Sequence, residues 1–359
     1  MPAMNHDIDV IIEQLRKEFH FDQAEWIGLK APTTMDFYDT WLDRGYAGDM
    51  QYLHRHRDQK AEPQRLLSAK HPAGQHHPEA QSALVVTKSY VPAPKPHNQF
   101  QGLRLASYAR NEDYHDWFQG ELQECCHRLK LQFPEHHFMP ATDSRPILER
   151  DLASQAGLGW IGKNTCAIHP RQGSFFFIGE ILSTVPINFM PAPLPDFCGK
   201  CQKCMEVCPT QAFESPRELN ATKCISYWTI EAKGVPPPEL RSQFGDWFFG
   251  CDLCQSVCPW NQKPFRGEAV LSTEKQLSNA PEQLLADLSF ILAKEDHELR
   301  QAIQATALSR AKPFGLRRNA IIVIANRRLH ALAPLVQRWF EDPQLGELAS
   351  WAIKELDLA

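Results

Sequence analysis

A chain of 359 residues, 43% hydrophobic and 23% charged, has the balance of a soluble globular protein and the length of two or three domains, which sets aside a disordered or fibrous chain. Its formal net charge of −5 argues, taken whole, against a nucleic-acid partner. No apolar stretch is long enough to span a membrane, and the opening Met-Pro-Ala-Met-Asn-His is no apolar export signal, so a cytoplasmic protein with reduced thiols is expected.

Ile8, Ile11, Ile12, Leu15 and Phe19 recur at helical spacing and predict an amphipathic helix over 7–19. A second helix is expected around Phe37, Trp41 and Leu42. Residues 71–79, broken by Pro72, Gly74 and Pro78, read as a loop whose His76 and His77 lack a third metal ligand. Residues 82–90 form a β-rich run stopped by prolines. A helix over about 114–131, a short segment ending at Asp143, a helix through Ile147 and Leu152, and a strand over 174–182 complete an α/β domain across residues 1–190.

Four prolines between Pro186 and Pro195 make a linker into a cysteine-rich module, residues 191–265. Beyond it, across 266–359, apolar residues return at helical spacing: Leu284, Leu288 and Ile291, then Leu316, Ala320 and Val323, then Leu332, Leu335 and Val336, then Leu348, Ala352 and Leu356. Short helices joined by turns resemble a small helical-repeat domain. Charge is uneven here. From Gln301 to Phe340 there are seven Lys or Arg, including Arg317, Arg318, Arg327 and Arg328, and no acid, whereas the last nineteen residues hold five acids and one lysine. A local positive field of this kind can bind a polyanion on an acidic chain, although a solvated helical face would look the same.

The cysteines carry the chemistry. Eight fall within sixty-one residues, in the runs Cys198-x-x-Cys201-x-x-Cys204-x-x-x-Cys208-Pro and Cys251-x-x-Cys254-x-x-x-Cys258-Pro, with Cys224 between them. Eight thiolates suffice for two [4Fe–4S] clusters, and in the bacterial ferredoxin pattern the cysteine before proline serves the other cluster. Cys198, Cys201 and Cys204 then take Cys258, while Cys208, Cys251 and Cys254 take Cys224. Zinc also uses paired Cys-x-x-Cys, but the first run is denser than such sites need. Disulfides suit a reduced compartment poorly. Cys125, Cys126 and Cys166 read as small buried hydrophobes rather than ligands.

Clusters of this type pass single electrons, at potentials near about −400 mV in some ferredoxins, and a pure carrier would need only the module. The long segments before and after it point to a catalytic and a recognition domain. Ahead of the linker, Gly157, Gly159 and Gly162 surround Trp160, and glycines so placed let the backbone approach a large flat ligand. The string matches G-x-G-x-x-G without the strand and acidic partner of a dinucleotide site. Asp143, two residues after a short extended segment and three before Pro146, could cap the following helix or act as an acid.

Taken together, the ordered strings Asp143-Ser-Arg-Pro-Ile-Leu-Glu-Arg150, Gly157-Leu-Gly-Trp160-Ile-Gly162-Lys163, Gly173-Ser-Phe-Phe-Phe-Ile-Gly-Glu180, Lys223-Cys-Ile-Ser-Tyr227 and Phe249-Gly-Cys-Asp252, with the eight-cysteine module, resemble the epoxyqueuosine reductase family. The likeness is strong over about residues 8–265 and looser in the tail. It implies an α/β cobalamin-binding domain, a ferredoxin-like two-cluster module and a C-terminal HEAT-like α-helical domain that holds tRNA. The activity implied is reduction of the epoxide of epoxyqueuosine at the anticodon wobble position of a tRNA to queuosine.

The same resemblance puts Asp143 at the proton donor and assigns cobalamin contacts to Trp160, Gly162, Lys163, Asn164, Ser174 and Ile178. It adds Ser226 and Asp252 beside the cluster ligands, Arg57 or Lys60 at a basic position, and Tyr108, Tyr114 and His115 in a Tyr-Ala-x-x-x-Asp-Tyr-His string. Asp113-Tyr-His115 lacks the glycine of histidine-ligating cobalamin motifs, so base-off cobalamin without a histidine ligand is expected. Arg317, Arg318, Arg327 and Arg328 would meet tRNA phosphates, Arg317 and Arg328 sharing one face of an unbroken helix. A low-potential electron donor completes the scheme, and a monomer is expected. The alternative is an enzyme of the reductive dehalogenase type, which also joins cobalamin to two clusters.

Overall fold

The structure, a computed structural model, describes residues 2–67, 79–91, 100–265 and 281–357. The loop expected at 71–79, with His76 and His77, lies outside the described residues except for its last position. The chain folds as two compact units, one of residues 1–44, 51–90 and 114–201, the other of residues 45–50, 91–113 and 202–359.

The first unit is built on four strands: β1 (Gln23–Gly28), β2 (Ser82–Ser89), β3 (Phe138–Ala141) and β4 (Phe176–Ser183), in the order β1-β2-β4-β3. Every pairing is antiparallel. The alternation of helix and strand therefore does not yield the parallel sheet of an α/β layer. β2 and β3 do run the same way, joined by helix α4 below, but β4 returns between them and pairs with both. Ala83, Leu84, Val85 and Val86 are all wholly buried, as expected of a central strand covered on both faces.

The helices of this unit include α1 (Pro2–Glu18), α2 (Met35–Asp43), α3 (Arg57–Ala61), α4 (Tyr114–Gln132) and α5 (Glu149–Gln155), with a single turn at Gln51–Arg55 ahead of α3. On α4, Phe118, Leu122, Cys125, Cys126 and Leu129 recur on one face and are buried. They press so closely on β4 that a Cβ on Gly179 would sit 2.9 Å from both Phe118 and Leu122. Burial pushes the Cys125 thiol up to about 12 and the Cys126 thiol also upward, so both stay protonated and inert. Cys166 departs from expectation in being only half-buried. The opposite sheet face packs Ile27, Val85, Ala141 and Leu182 against Leu152 and Ala153 of α5. Helix α5 begins at Glu149, so Ile147 precedes it instead of lying inside it. The proline-rich segment forms no helix or strand and runs beside β1, where the Gly28 N–H donates to Phe189 O at 2.9 Å.

In the second unit the short helices α6 (Lys203–Glu206) and α7 (Ile225–Ile230) precede α8 (Leu253–Ser256), and α9 (Pro281–Ala293), α10 (Lys312–Asn326), α11 (Ala333–Gln337) and α12 (Gly346–Glu355) form the tail. Every residue of α10 from Gly315 to Ala325 is buried. A helix enclosed on all sides is a core element, and α9, α12 and the strand Trp247–Phe249 supply its walls. That strand pairs in parallel with Arg104–Leu105. Among the described residues no helix is long and apolar enough to cross a membrane.

Candidate active site and cysteine module

Asp143 follows β3 by two residues and takes a left-handed backbone, φ +48°. That conformation is uncommon for a non-glycine residue, though aspartate is among the few that tolerate it. Helix α5 starts six residues later with Leu148 as its N-cap and no side-chain cap, so Asp143 is not capping it. Instead its carboxylate is gripped from α4. Tyr114 Oη donates to Asp143 Oδ2 at 2.7 Å, and His115 Nε2 lies 3.2 Å from the same oxygen. Tyr114 is itself fixed by stacking on Phe177 of β4, centroids 4.2 Å apart and 11° between planes. The Asp143 side chain nonetheless remains 59% exposed, open to a reacting partner.

Lys60 of α3 joins this corner. Its Nζ donates to Ile147 O at 3.2 Å and lies 5.8 Å from the Tyr38 ring centroid. Burial lowers its pKa, while the charges of Glu149, Asp143 and Glu180 pull it back up. Arg57 faces elsewhere, ion-paired with Asp39 at 2.5 Å and Asp58 at 3.0 Å. Of the two basic candidates, Lys60 alone shares the field of Asp143.

Glu149 and Glu180 were not singled out from the sequence. The Asp143 N–H donates to Glu149 Oε1, holding the strained turn. Glu180, in the middle of β4, is wholly buried between Val85 of β2 and Ala141 of β3, and neither carboxyl oxygen has a hydrogen-bond partner. Burial first and the Asp143 charge second raise Glu149 to about 8, and burial, with the charges of Glu149 and Asp143, raises Glu180 well above the ordinary range. The available signal was a lone acid in the apolar run 174–182.

The glycine string has a packing role. Trp160–Ile161 pairs with Ala167–Ile168 as a small hairpin. A Cβ on Gly159 would stand 2.9 Å from Ile168 O, and one on Gly162 would stand 2.4 Å from Ile168 Cδ1. On their Cβ side the space these glycines leave is filled by Ile168. Trp160 is 3% exposed, packs edge-on against Phe197 and donates Nε1–H to Cys198 Sγ at 3.5 Å. Lys163 Nζ donates to Gly199 O at 2.8 Å and Cys201 O at 2.9 Å. Both side chains thus brace the first cysteine loop. Asn164 and Ser174 are buried, Asn164 Oδ1 accepting from the Cys166 N–H, and Ile178 is half-buried against the α5 core.

Among the described residues no disulfide joins any of the eleven cysteines. Within the second unit, α6 and α8 carry Cys204 and Cys254 and pack against each other. Cys208, Cys224 and Cys251 share one electrostatic neighbourhood, and the Cys224 and Cys251 thiols are pushed up chiefly by burial. Half-buried thiols with backbone N–H groups aimed at them suit anionic cluster ligands: Tyr227 and Ser226 face Cys224, and the Ala212 N–H donates to Cys208 Sγ at 3.4 Å. Ser226 thus meets a thiol. Asp252 is buried, accepting the Ser107 N–H and hydroxyl, each at 2.7 Å, and Tyr108 lies half-buried by Phe249. Burial raises the Asp252 pKa, against the pull of its Ser107 bonds.

A family model described as "Epoxyqueuosine reductase QueG, DUF1730" matches residues 71–144, the span holding Tyr108, Tyr114, His115 and Asp143. Another, "4Fe-4S double cluster binding domain", matches residues 197–261. The epoxyqueuosine reductase of Escherichia coli (strain K12) is 33% identical over 350 residues, 96% of this chain and 88% of that protein. The chain belongs to the epoxyqueuosine reductase family. The Pseudomonas aeruginosa epoxyqueuosine reductase is similarly related, 34% identical over 325 residues, 88% of this chain and 85% of that one. Among solved epoxyqueuosine reductases, one crystallised with a tRNA-Tyr epoxyqueuosine-modified stem loop has a TM-score of 0.80 at 25% identity, covering 98% of this chain and 90% of its own. The Streptococcus thermophilus enzyme shares the fold, with a TM-score of 0.71 at 21% identity and coverage of 98% and 90%.

Against this epoxyqueuosine reductase background, two arginines expected to meet RNA are structural. Arg318 is 0% exposed, its Nη1 donating to Ala232 O at 2.7 Å and Gly234 O at 2.9 Å, and burial lowers its pKa to about 10. Arg317 is 7% exposed, bonded to Asp296 at 2.5 Å and packed on Trp339. The apolar surroundings of α10 turned both inward. Arg327 pairs with Asp246 at 3.0 Å and Arg328 reaches Asp357 at 3.5 Å, their side chains 42% and 68% exposed. Helix α10 ends at Asn326 and Arg328 has φ +51°, so Arg317 and Arg328 do not share an unbroken helical face.

Proposed function

We propose that this chain reduces the epoxide of epoxyqueuosine in tRNA to the alkene of queuosine, with Asp143 as proton donor. The observation that carries the reading is 33% identity across 96% of the chain to an epoxyqueuosine reductase, and the Asp143 corner gives it a chemical basis. Opening a strained epoxide with loss of its oxygen as water needs two electrons and two protons, so an acid must stand at the oxygen. Asp143 offers an accessible carboxyl whose direction is set by Tyr114 and His115. Preorganisation of this kind spares the reaction the cost of orienting the acid.

A bound cobalamin would supply a strongly reducing cobalt centre for the C–O bond. The residues whose position suits holding it are Lys60, Tyr114, His115 and Asp143, gathered at one open corner, with Ile178 nearby in sequence to the apolar face. His115 Nε2 is turned toward Asp143, which accords with base-off cofactor lacking a histidine ligand. Trp160, Gly162, Asn164 and Ser174 would act beneath that surface as support, and Lys163 as the brace of the Cys198–Cys201 loop. The cysteines would hold two [4Fe–4S] clusters in the sets read from their spacing, Cys208 and Cys224 with Cys251 and Cys254, and the remaining four together. The helical tail would hold tRNA as a HEAT-like element, with Arg327 and Arg328 as its candidate phosphate contacts. A low-potential donor would supply electrons to a monomeric cytoplasmic enzyme.

Anaerobic incubation with cobalamin, a low-potential reductant and epoxyqueuosine-containing tRNA, followed by nucleoside mass spectrometry, tests this. Loss of one oxygen from the modified base is expected. An unchanged nucleoside, with clusters and cobalamin confirmed bound, would refute it.

A further inference from the structure

Behind Asp143 lies a group of acids that the reaction as described does not use. Glu180 is wholly buried with both oxygens unpartnered, on the sheet face that also carries Val85, Ala141, Ile178 and Leu182. Glu149, half-buried at the start of α5, accepts the Asp143 N–H. The charged groups facing this pair are Asp143 after β3, Lys60 from α3 and Arg150 beside Glu149 on α5, and Arg150 is drawn off to Thr165 O at 2.7 Å. Three carboxyls share one half-buried lysine. Full ionisation would leave net negative charge around a carboxylate with no hydrogen bond in an apolar layer, so at neutral pH the group must retain protons.

We propose that Glu149 is a proton store for Asp143, recharging it between two protonations, with Glu180 a sealed acid behind it that stays protonated throughout. The inference rests on the epoxide-reducing role given above. That reaction consumes two protons and two electrons per epoxide, releasing one water, while Asp143 holds one proton at most. After Asp143 gives its proton to the departing oxygen, its carboxylate takes the Glu149 proton and becomes able to deliver the second. The Glu149 carboxylate so formed is met by the Asp143 N–H and the Lys60 charge, and solvent returns its proton as the cycle closes. The ordering agrees with burial, which raises Glu149 to about 8 and Glu180 well above the ordinary range.

The test pairs infrared spectroscopy of the cofactor-free chain with kinetics of the loaded enzyme. Glu149→Gln keeps an oxygen for the Asp143 N–H but carries no transferable proton, and Glu180→Gln is its buried counterpart. The expected spectrum at pH 7 shows protonated-carboxyl C=O bands, one lost in E149Q and titrating near pH 8 in the parent, another lost in E180Q and persisting to higher pH. Single-turnover rates should fall at least tenfold in E149Q, with KM for tRNA within twofold, and its alkaline fall in rate near pH 8 should vanish. Absence of both bands, or their loss with rate and pH profile unchanged, would overturn the store. Intact bands in a parent chain that leaves the epoxide untouched would instead overturn the reading of the reaction, because the infrared result does not depend on turnover.

Discussion

Asp143→Asn is nearly isosteric and keeps the Tyr114 hydrogen bond, so fold, iron content and cobalamin binding should be retained while turnover falls at least ~100-fold, the range of a lost general acid. Single-turnover mass spectrometry with iron analysis checks it, and appreciable turnover would remove Asp143 from the chemistry. Glu180 supports a prediction about stability. In the folded chain its carboxyl stays protonated well above 4.5, whereas the unfolded chain loses that proton near 4.5. The unfolded state thus binds fewer protons, and stability declines as pH rises above about 4.5, by at most about 1.4 kcal/mol per pH unit for this group. Glu180→Gln should remove that slope, giving a chain more stable than the parent at pH 8 and little changed at pH 5, as read from thermal midpoints. Sequence singled out Asp143, Tyr114 and His115 because they sit in recognisable strings, whereas Lys60 stood only as an alternative to Arg57. Glu180 was silent, since its meaning comes from Val85 and Ala141 standing beside it, which strand pairing alone decides.

Among elements, the 160–168 hairpin shows how one string can serve two readings. Glycines that would admit a flat ligand equally admit a neighbouring strand, and on their Cβ side it is Ile168 that they admit. On Gly159 a new Cβ would press on backbone, which cannot swing aside as a side-chain tip can, so Gly159→Ala should cost about 1–3 kcal/mol. The hairpin also carries Lys163 to two carbonyls of the Cys198–Cys201 loop. Lys163→Ala should leave global stability near that of the parent yet speed iron loss to a chelator several-fold, followed by visible absorbance. Equal rates would show that the loop holds its shape unaided. Apolar periodicity marked α1, α2, β2, α4 and β4, but not β1 or the short helix α3, which carry too few apolar residues to show a period. The sheet order was not readable, because the insertion of β4 between β2 and β3 leaves no local trace in either strand.

For the whole molecule, an acidic chain that is to bind RNA as proposed must concentrate positive charge locally, and burial decides which arginines count. Seven bases without an acid between residues 301 and 340 look like one patch in sequence, yet α10 spends two of them inside the fold because a fully enclosed helix leaves Arg317 and Arg318 nowhere else to bond. Similarly, Gly45–Met50 belongs to the second unit through contacts composition cannot announce, such as the Asp49 N–H donating to Tyr227 Oη at 2.8 Å. Arg318→Ala would leave Ala232 O buried without its donor, a loss of about 1–3 kcal/mol, and should lower the thermal midpoint. While folded, that variant should bind tRNA with the parent's salt dependence. Arg328→Ala should do the reverse: its side chain is 68% exposed and its 3.5 Å approach to Asp357 is weak, so stability should hold within about 0.5 kcal/mol. If Arg328 meets a phosphate, the slope of log affinity against log salt should fall by about 1. Measuring that slope for both variants separates an arginine that binds RNA from one that only builds the surface around it, and equal slopes in parent and Arg328→Ala would move the RNA contact to another face.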